Sequence, residues 1–595
     1  MNKQFWLARN WKVIVLPLVL VATLASLARA ERAVAPKILP EGTLAYVRIS
    51  DVQDLVAKFK ETATGRMFQD QNIAPLVTQL YGSVEEQWKQ IEDQVGLPLG
   101  ELLKIPQGEV CFAVVPQGDG PPAILLLVDV KDKIISVNKL LEKGEALLTE
   151  NGGTKTSEVI EDVKVNIYTG PGGQSAVQFD KDGTVVITTS KDLVKPLLLA
   201  WTGNSEVKSL ADNAKFNSIM SRCGGSKDER PQVTFYADPV EIARKVLASG
   251  PASLALAFFQ PLGLDGVKGV GGSLIYGAGE FDDVMHFHLL LDNPRAGVVE
   301  LLAMGSGDST PEAWVPNDVT SYMTLHWRFE DMYKNGNKLW DSLQGEGNFK
   351  AFVKERLSDR IEIDVEAEIV PALDGRITLA QWVEKPVTLN SQVNIVGVKL
   401  KDAKAFQTSI VEKLVAKYPE AVEKKAFGGV TYWAIKMPER REGAPELPAG
   451  IRLPTPAVAI IGDYLVASGS TAALHHCITT TSDATRGLAG DLEYKLIAGK
   501  IKRQVGGDAP GMVQFTRPEE ALRFVYELIR AENTQKGLAS AAEGNPFLKN
   551  VDKALKDNPL PAFSVLAKYF APGGGMMVND ETGFHYMAFT LRRKQ

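Results

Sequence analysis

Cysteine is scarce: Cys111, Cys223 and Cys477 are the only three in 595 residues. An odd and widely spaced set is not a disulfide framework. Cys111, inside the apolar run EVCFAVV, reads as a small buried hydrophobe. One Cys223–Cys477 bridge is left open by the sequence. Histidine is nearly as rare, with six residues, and neither H-E-x-x-H nor a C-x-x-C pair occurs, so the strong zinc signatures are missing. There is no G-x-S-x-G, and Ser136-Val137-Asn138-Lys139 matches S-x-x-K without its S-D-N and K-T-G companions. The glycine stretch 263–280 fails G-x-G-x-x-G, because Leu274 holds the sixth position of a motif begun at Gly269, and it leads into a strand. Turn chemistry explains it better. Finally, 66 Lys and Arg against 72 Asp and Glu give a net charge of −6 without a basic block. That balance argues against nucleic acid as a partner.

A chain of 595 residues is too long for one hydrophobic core, so more than one domain is expected. The first thirty residues carry Lys3, Arg9, Lys12 and Arg29 and no acid. An apolar run, Val13 to Leu27 with Pro17 inside it, is followed by Ala28-Arg29-Ala30. This is the order of a secretory signal peptide at 1–30 with a small-x-small cleavage site. The run falls short of the ~20 residues that span a bilayer comfortably, which favours cleavage over a permanent anchor. The sequence therefore predicts export to a periplasmic or extracellular location, with membrane contact only through the N-terminal segment if it is not removed.

Residues 39–50 read LPEGTLAYVRIS, and residues 315–326 read VPNDVTSYMTLH, which places Tyr46 beside Tyr322 at an offset of 276. The likeness continues in order. VDVKD at 128–132 meets VKLKD at 398–402, and DGTVVITTS at 182–190 meets GDYLVASGS at 462–470. VTFYADPVE from 233 meets VQFTRPEE from 513, an offset of 280, and DDVMHFHLLL from 282 meets ETGFHYMAFTL from 581, with His286 against His585. A Pro/Gly-rich insert at 440–456 has no counterpart. Ordered matches at similar spacing predict a tandem duplication, one unit at 38–304 and the other at 314–595, with the small and polar segment 305–313 as linker.

Periodicity inside each unit switches between two and about 3.6. TLAYVRI alternates as a strand, and Ser50-Asp51 caps a helix whose Val52, Leu55, Val56 and Phe59 share a face. Ser83-Val84-Glu85-Glu86 fits a capping box for a second helix. Adjacent strand-like runs with interspersed helices predict an α+β fold of two homologous tandem units, each a mainly antiparallel sheet with helices packed on one face.

Few residues offer chemistry. His286 and His288 lie two apart and share a strand face, but Met587 stands for His288 in the second copy. His475-His476-Cys477 is the densest reactive cluster, yet neighbouring helical side chains diverge by about 100° and cannot share one metal unaided. These five residues are the only metal candidates, and core packing accounts for them better. No catalytic residue and no cofactor is predicted. The leading strand with Leu39, Pro40, Thr43, Tyr46 and Val47, and the helix exit with Thr64, Gly65 and Phe68, resemble those of uncharacterised secreted proteins of planctomycete-type bacteria. The resemblance implies an exported, duplicated α+β body and no functional residues. The expected role is a non-catalytic binding or scaffold protein of the cell envelope, with an unknown protein or apolar ligand as partner. A carrier of a lipid or other hydrophobic ligand is one alternative. A hydrolase using Glu330 and Asp331, or His475 and His476, is another.

Overall fold

The computed structural model describes residues 32–593 apart from 119, 205, 226–228, 248–250, 438–450 and 505–508. The signal expected at 1–30, and the insert at 440–456 up to residue 450, lie outside the described residues. Ten strands form before residue 292: β1 (Ala45–Ile49), β2 (Val110–Gln117), β3 (Gly120–Asp129), β4 (Thr154–Ile160), β5 (Val163–Thr169), β6 (Ser175–Lys181), β7 (Thr184–Thr188), β8 (Val233–Ala237), β9 (Val267–Tyr276) and β10 (Phe281–Leu291). Ten more follow: β11 (Ser321–His326), β12 (Leu373–Val383), β13 (Gln392–Leu400), β14 (Val422–Phe427), β15 (Val430–Ile435), β16 (Ala457–Ile461), β17 (Tyr464–Ser468), β18 (Met512–Thr516), β19 (Gly573–Asp580) and β20 (Gly583–Leu591).

All of these strands belong to one antiparallel sheet. From one edge the pairings run β4-β5-β6-β7-β3-β2-β1-β8-β9-β10. β10 then pairs with β20, and the order continues β19-β18-β11-β12-β13-β17-β16-β15-β14. The strand order of the second ten is that of the first ten, read from the opposite edge. The expectation of a separate sheet in each half is corrected: the last strand of each half would be an open edge, and the two edges close on each other.

Helices also lie against both faces rather than one. Leu125, Leu127 and Val186 point into the core beneath the helices Val194–Trp201 and Ala214–Cys223. Val128, Val185 and Ile187, with the opposite parity, pack under Leu97, Ile105 and Val137. The helix expected to start at Ser83 is instead one helix, Ala74–Val95, and the Ser83 hydroxyl bonds back to the carbonyl of Gln79 at 3.1 Å. A capping motif inside a long apolar stripe is overridden by packing.

Tyr46 sits mid-sheet, opposite Ala113 and Tyr236, and its ring meets Phe216 edge-on at 5.5 Å. Tyr322 sits opposite Ala380 and Phe515 and meets Tyr494 edge-on at 6.0 Å. Phe216 also meets Tyr236, and Tyr494 meets Phe515, both edge-on. Tyr236 and Phe515 therefore hold matching places, an offset of 279, so the sequence pairing at 280 slips by one residue and exchanges faces. Gly271 opposite Tyr236, and Gly574 opposite Phe515, let Ile219 and Ile497 of the covering helices reach the sheet. A Cβ at Gly271 would lie 2.7 Å from Ile219 Cγ2, and one at Gly574 only 2.3 Å from Ile497 Cγ2. Gly271→Ala and Gly574→Ala should each lower stability in urea titrations by about 1–3 kcal/mol through overpacking. A loss below ~0.5 kcal/mol would show that the covering helices give way and, at Gly271, that the neighbouring strand does too, because Phe235 O lies 2.6 Å from the added Cβ.

The segments before β1 and β11 are anchored alike. Leu39 O accepts from Leu210 N at 2.8 Å, and Val315 O from Leu488 N at 2.9 Å. Upstream, the charges are exchanged. In the first half Arg32 reaches Glu109 at 2.5 Å, and Arg48 pairs with the same carboxylate. In the second, Glu312 meets Arg376 at 3.0 Å. Tyr322 and Thr378 donate to Glu312, while Arg376 donates to Thr310 O. The segment expected as a linker at 305–313 is thus held against the second half: Ser309 O accepts from the Tyr494 hydroxyl at 3.1 Å.

Candidate apolar site on the open sheet face

Side chains that alternate with the buried ones point to a second sheet face that stays open at its centre. Val47 is 49% exposed, Phe112 43%, Ile124 47%, Met285 43% and Phe287 36%. For strand residues well inside a twenty-stranded sheet such values mean that no layer lies above them. β-branched and aromatic residues make these strands, but nothing buries this side of them.

Register turns these residues into rows. Leu126, Phe112, Val47, Phe235, Gly272 and Phe287 are successive cross-strand neighbours from β3 to β10. The row crosses the central seam to Tyr586 and continues through Met577, Met512, Leu325 and Ile377. The flanking rows of the first half hold Ile124, Val114, Ala45, Ala237 and Val270 on one side and Val110, Ile49, Val233, Leu274 and Met285 on the other, where the next residue, Val128, already lies under Leu97, Ile105 and Val137. None of these residues is charged. The apolar area spans six strands, roughly 24 Å at a spacing of ~4.8 Å.

Register equivalence shows where the second half departs. Ser321, Gln381 and Asn394 occupy the places of Ala45, Val114 and Ile124. They form a polar ladder: Ser321 Oγ donates to Gln381 at 3.3 Å, and Gln381 Nε2 donates to Asn394 at 3.2 Å. The Tyr586 hydroxyl donates to Gln514 at 2.8 Å beside the seam. A face apolar in all three rows is a property of the first half; in the second half the central row stays apolar and the row of Ser321 is polar.

Helices bound this face. Val52–Glu61 follows β1, capped by Asp51, whose carboxylate accepts from Asp54 N. None of its residues is buried, and Phe59 meets Tyr276 of β9 edge-on at 6.1 Å while Val56 stays exposed. Beyond the opposite strand ends, Lys245 of the helix Pro239–Leu247 donates to Gly118 O in the β2–β3 turn. The arrangement can hold an apolar molecule by area. Among the described residues of the three first-half rows none carries a carboxylate, imidazole, amine or thiol.

No protein-family model and no curated protein matches the chain. A solved structure, crystal form I of TP0453, aligns at 9% identity over 47% of this chain and 89% of its own, with a TM-score of 0.21. At that level the likeness carries no argument about fold or function.

The reactive residues singled out in the sequence are dispersed. His475 stacks on Phe427 at 3.9 Å and meets Tyr432 edge-on at 4.9 Å, and burial lowers its pKa. His476 leans over Trp382, and its Nε2 lies 2.7 Å from Asp318 Oδ1. Cys477 is buried in the core, and burial pushes its thiol up to about 12. All three cysteines are free and buried, which removes the Cys223–Cys477 bridge. Glu330 and Asp331 open the helix Phe329–Gln344 in surface ion pairs with Lys401 and Arg328. They are spent there, apart from His475 and His476.

The sequence treated His286 and His585 as matching residues of two copies. They are instead spatial neighbours across the β10–β20 seam: His286 Nδ1 lies 3.3 Å from His585 Nε2, and His288 is directly opposite His585. Register gives Met587 and Phe589 as the equivalents of His286 and His288. Burial lowers the pKa of all three imidazoles, His288 to about 4 and His585 to about 3, with Arg222 adding to both. Among the described residues no group of three His, Cys, Asp or Glu is arranged to hold a metal ion.

Proposed function

We propose that this is a non-catalytic binding protein that holds a long apolar chain, of the acyl type, against the open face of β3-β2-β1-β8-β9-β10. The observation that carries the reading is the row from Leu126 to Phe287, uncharged and exposed at Val47, Phe112 and Phe287. Exposed apolar area of this extent is an unusual feature in a protein without a partner for it. Each methylene removed from water contributes about 0.8 kcal/mol, so a chain crossing several strands is held without any specific polar contact. The absence of charge across these three rows favours a neutral chain over a peptide or a phosphate-bearing segment.

The two halves are read as copies of one unit, at about 38–304 and 314–595. Supporting this are the repeated strand order, the twin aromatic triads and the twin glycines beneath Ile219 and Ile497. One copy keeps the apolar face and the other has acquired a polar ladder. Export to the bacterial envelope is part of the proposal and rests on the N-terminal sequence and on the resemblance carried by Leu39 to Val47. A carrier of apolar molecules suits that compartment.

A fluorescent long-chain acyl probe tests the reading. The full chain should bind it, and organic extracts of the purified protein should contain a chain-bearing molecule. Phe112→Glu combined with Phe287→Glu should weaken probe binding at least tenfold while leaving the thermal unfolding midpoint within a few degrees, since both side chains face solvent. Clean extracts together with no probe binding would sink the proposal. So would unchanged binding by the double variant.

A further inference from the structure

Both edges of the sheet are hairpins closed by two-residue turns: Glu161-Asp162 after β4 and Gly428-Gly429 after β14, all four with positive φ. In such hairpins the closing pair shares its hydrogen bonds. Ile160 and Val163 are that pair in the first, Phe427 and Val430 in the second. Alternation then directs the backbone N–H and C=O of Lys155, Ser157 and Val159 outward, away from β5. β4 is a sheet edge with main-chain hydrogen bonds still to be made.

The two edges differ in what lies beneath them. In the second half, His475 of the helix Thr471–Thr481 lays its ring flat on Phe427, at 3.9 Å and 8°, and edge-on to Tyr432. In the first half the matching positions are Lys195, Ile160 and Val165, and no ring is present. A cavity of about 850 Å³ opens there, walled by Ile160, Pro196 and Leu199. Lys191, paired with Glu158 at 2.7 Å, stands on its rim, beside Lys195, which pairs with Glu161 at 3.3 Å. The molecule itself thus shows which group fits this place between edge strand and helix: a flat aromatic ring. The second edge has its ring built in, and its strand carries three consecutive charges, Glu423, Lys424 and Lys425, that discourage pairing. The first edge has no ring, and its two charges, Lys155 and Glu158, are separated along the strand and neutralised by Glu145 and Lys191.

We propose that β4 is a docking edge for an extended peptide segment, which adds to the sheet as a further strand and places one aromatic side chain in the cavity beside Ile160 and Leu199. Main-chain bonds to Lys155, Ser157 and Val159 supply the general affinity, and the cavity selects the ring. The site lies four strands beyond β3 in the strand order, at the sheet edge, and does not depend on the open apolar face.

The test uses the full chain and a seven-residue synthetic peptide of alternating threonine and valine with one central phenylalanine, followed by fluorescence anisotropy. A second peptide carries alanine in place of the phenylalanine. The first should bind with a micromolar Kd, and the second at least tenfold more weakly. Ile160→Phe with Lys195→His, which fills the cavity as the second half does, should also weaken binding at least tenfold. Ser157→Pro, which removes one outward N–H, should weaken both peptides alike. Circular dichroism confirms that each variant is folded. The proposal is overturned if neither peptide binds, if the two bind equally, or if the cavity-filling pair has no effect. It is overturned equally if sedimentation shows the edge occupied by a second copy of the chain.

Discussion

Replacing Arg376 by methionine is expected to lower the unfolding free energy by about 3–5 kcal/mol, the range for breaking one side of a buried ion pair. Arg376 lies against Glu312, itself buried, and donates to Thr324, Tyr322 and Thr310 O. Methionine fills part of the volume but leaves the Glu312 carboxylate with the Tyr322, Thr378 and Tyr464 hydroxyls and no cation. A buried charge without a counterion is the expensive state, not the loss of the pair as such. The double variant Glu312→Leu, Arg376→Met should therefore recover most of the loss. Asp308, 4.0 Å from the same guanidinium but mostly exposed, is a contrasting control: Asp308→Ala should change stability by less than ~0.5 kcal/mol. Denaturant titration followed by tryptophan fluorescence reports all three. A cost below 1 kcal/mol for Arg376→Met would mean that water reaches Glu312 in the native state.

Stability should fall as pH is lowered from 6.5 towards 4, and the seam histidines should be the cause. In the folded chain burial holds His288 at about 4 and His585 at about 3, below the ordinary value of 6.5. Below pH 6.5 the unfolded chain binds protons that the folded chain refuses, so acid favours unfolding. The contribution is fully present above 6.5 and is lost progressively as pH falls through the folded values. For the fully buried His288 the loss is on the order of 2–3 kcal/mol by pH 4. Asp283 on the same strand acts in the opposite sense, because burial raises it from 3.8 to about 6, and its protonation favours the fold in that window. Asp283→Asn is therefore the proper background. In it, His288→Phe, the residue that stands at the matching place 589, should flatten the dependence between pH 6.5 and 4.5. An unaltered slope would place the acid sensitivity elsewhere, and the Arg222–Asp580 ion pair beside the seam would be the next group to vary.

How much of this was legible in the sequence depends on how local each feature is. The leading strands were readable from LPEGTLAYVRIS and VPNDVTSYMTLH, because alternation and a Pro-led turn are written in consecutive residues. The helix after Asp51 was readable for the same reason. The β10–β20 pairing is not, since nothing local says that two strand edges 300 residues apart will meet, and in sequence His286 and His585 look like equivalents rather than neighbours. The one-residue register of β18 needed cross-strand partners to settle which of Phe235 and Tyr236 faces the core. The open apolar face was hidden most thoroughly. Val47, Phe112 and Phe287 look like core residues in sequence, and only the layer above them, or its lack, distinguishes a core from a binding surface. The divergence of His475, His476 and Cys477 onto different partners is partly legible in helical spacing, but the ring of Phe427 beneath His475 is not.

The exchanged charges ahead of the two leading strands have a consequence for assembly. A chain carrying two similar sheets can misfold by docking the segment of one half on the strand of the other, a known hazard of tandem domains. Here such an exchange would set Arg32 against Arg376 and Glu312 against Glu109. Each wrong docking buries a pair of like charges, which costs several kcal/mol, while each right one neutralises them. The polarity swap works as a pair of keyed locks, so that two halves alike in strand order still know which N-terminal lead belongs to which.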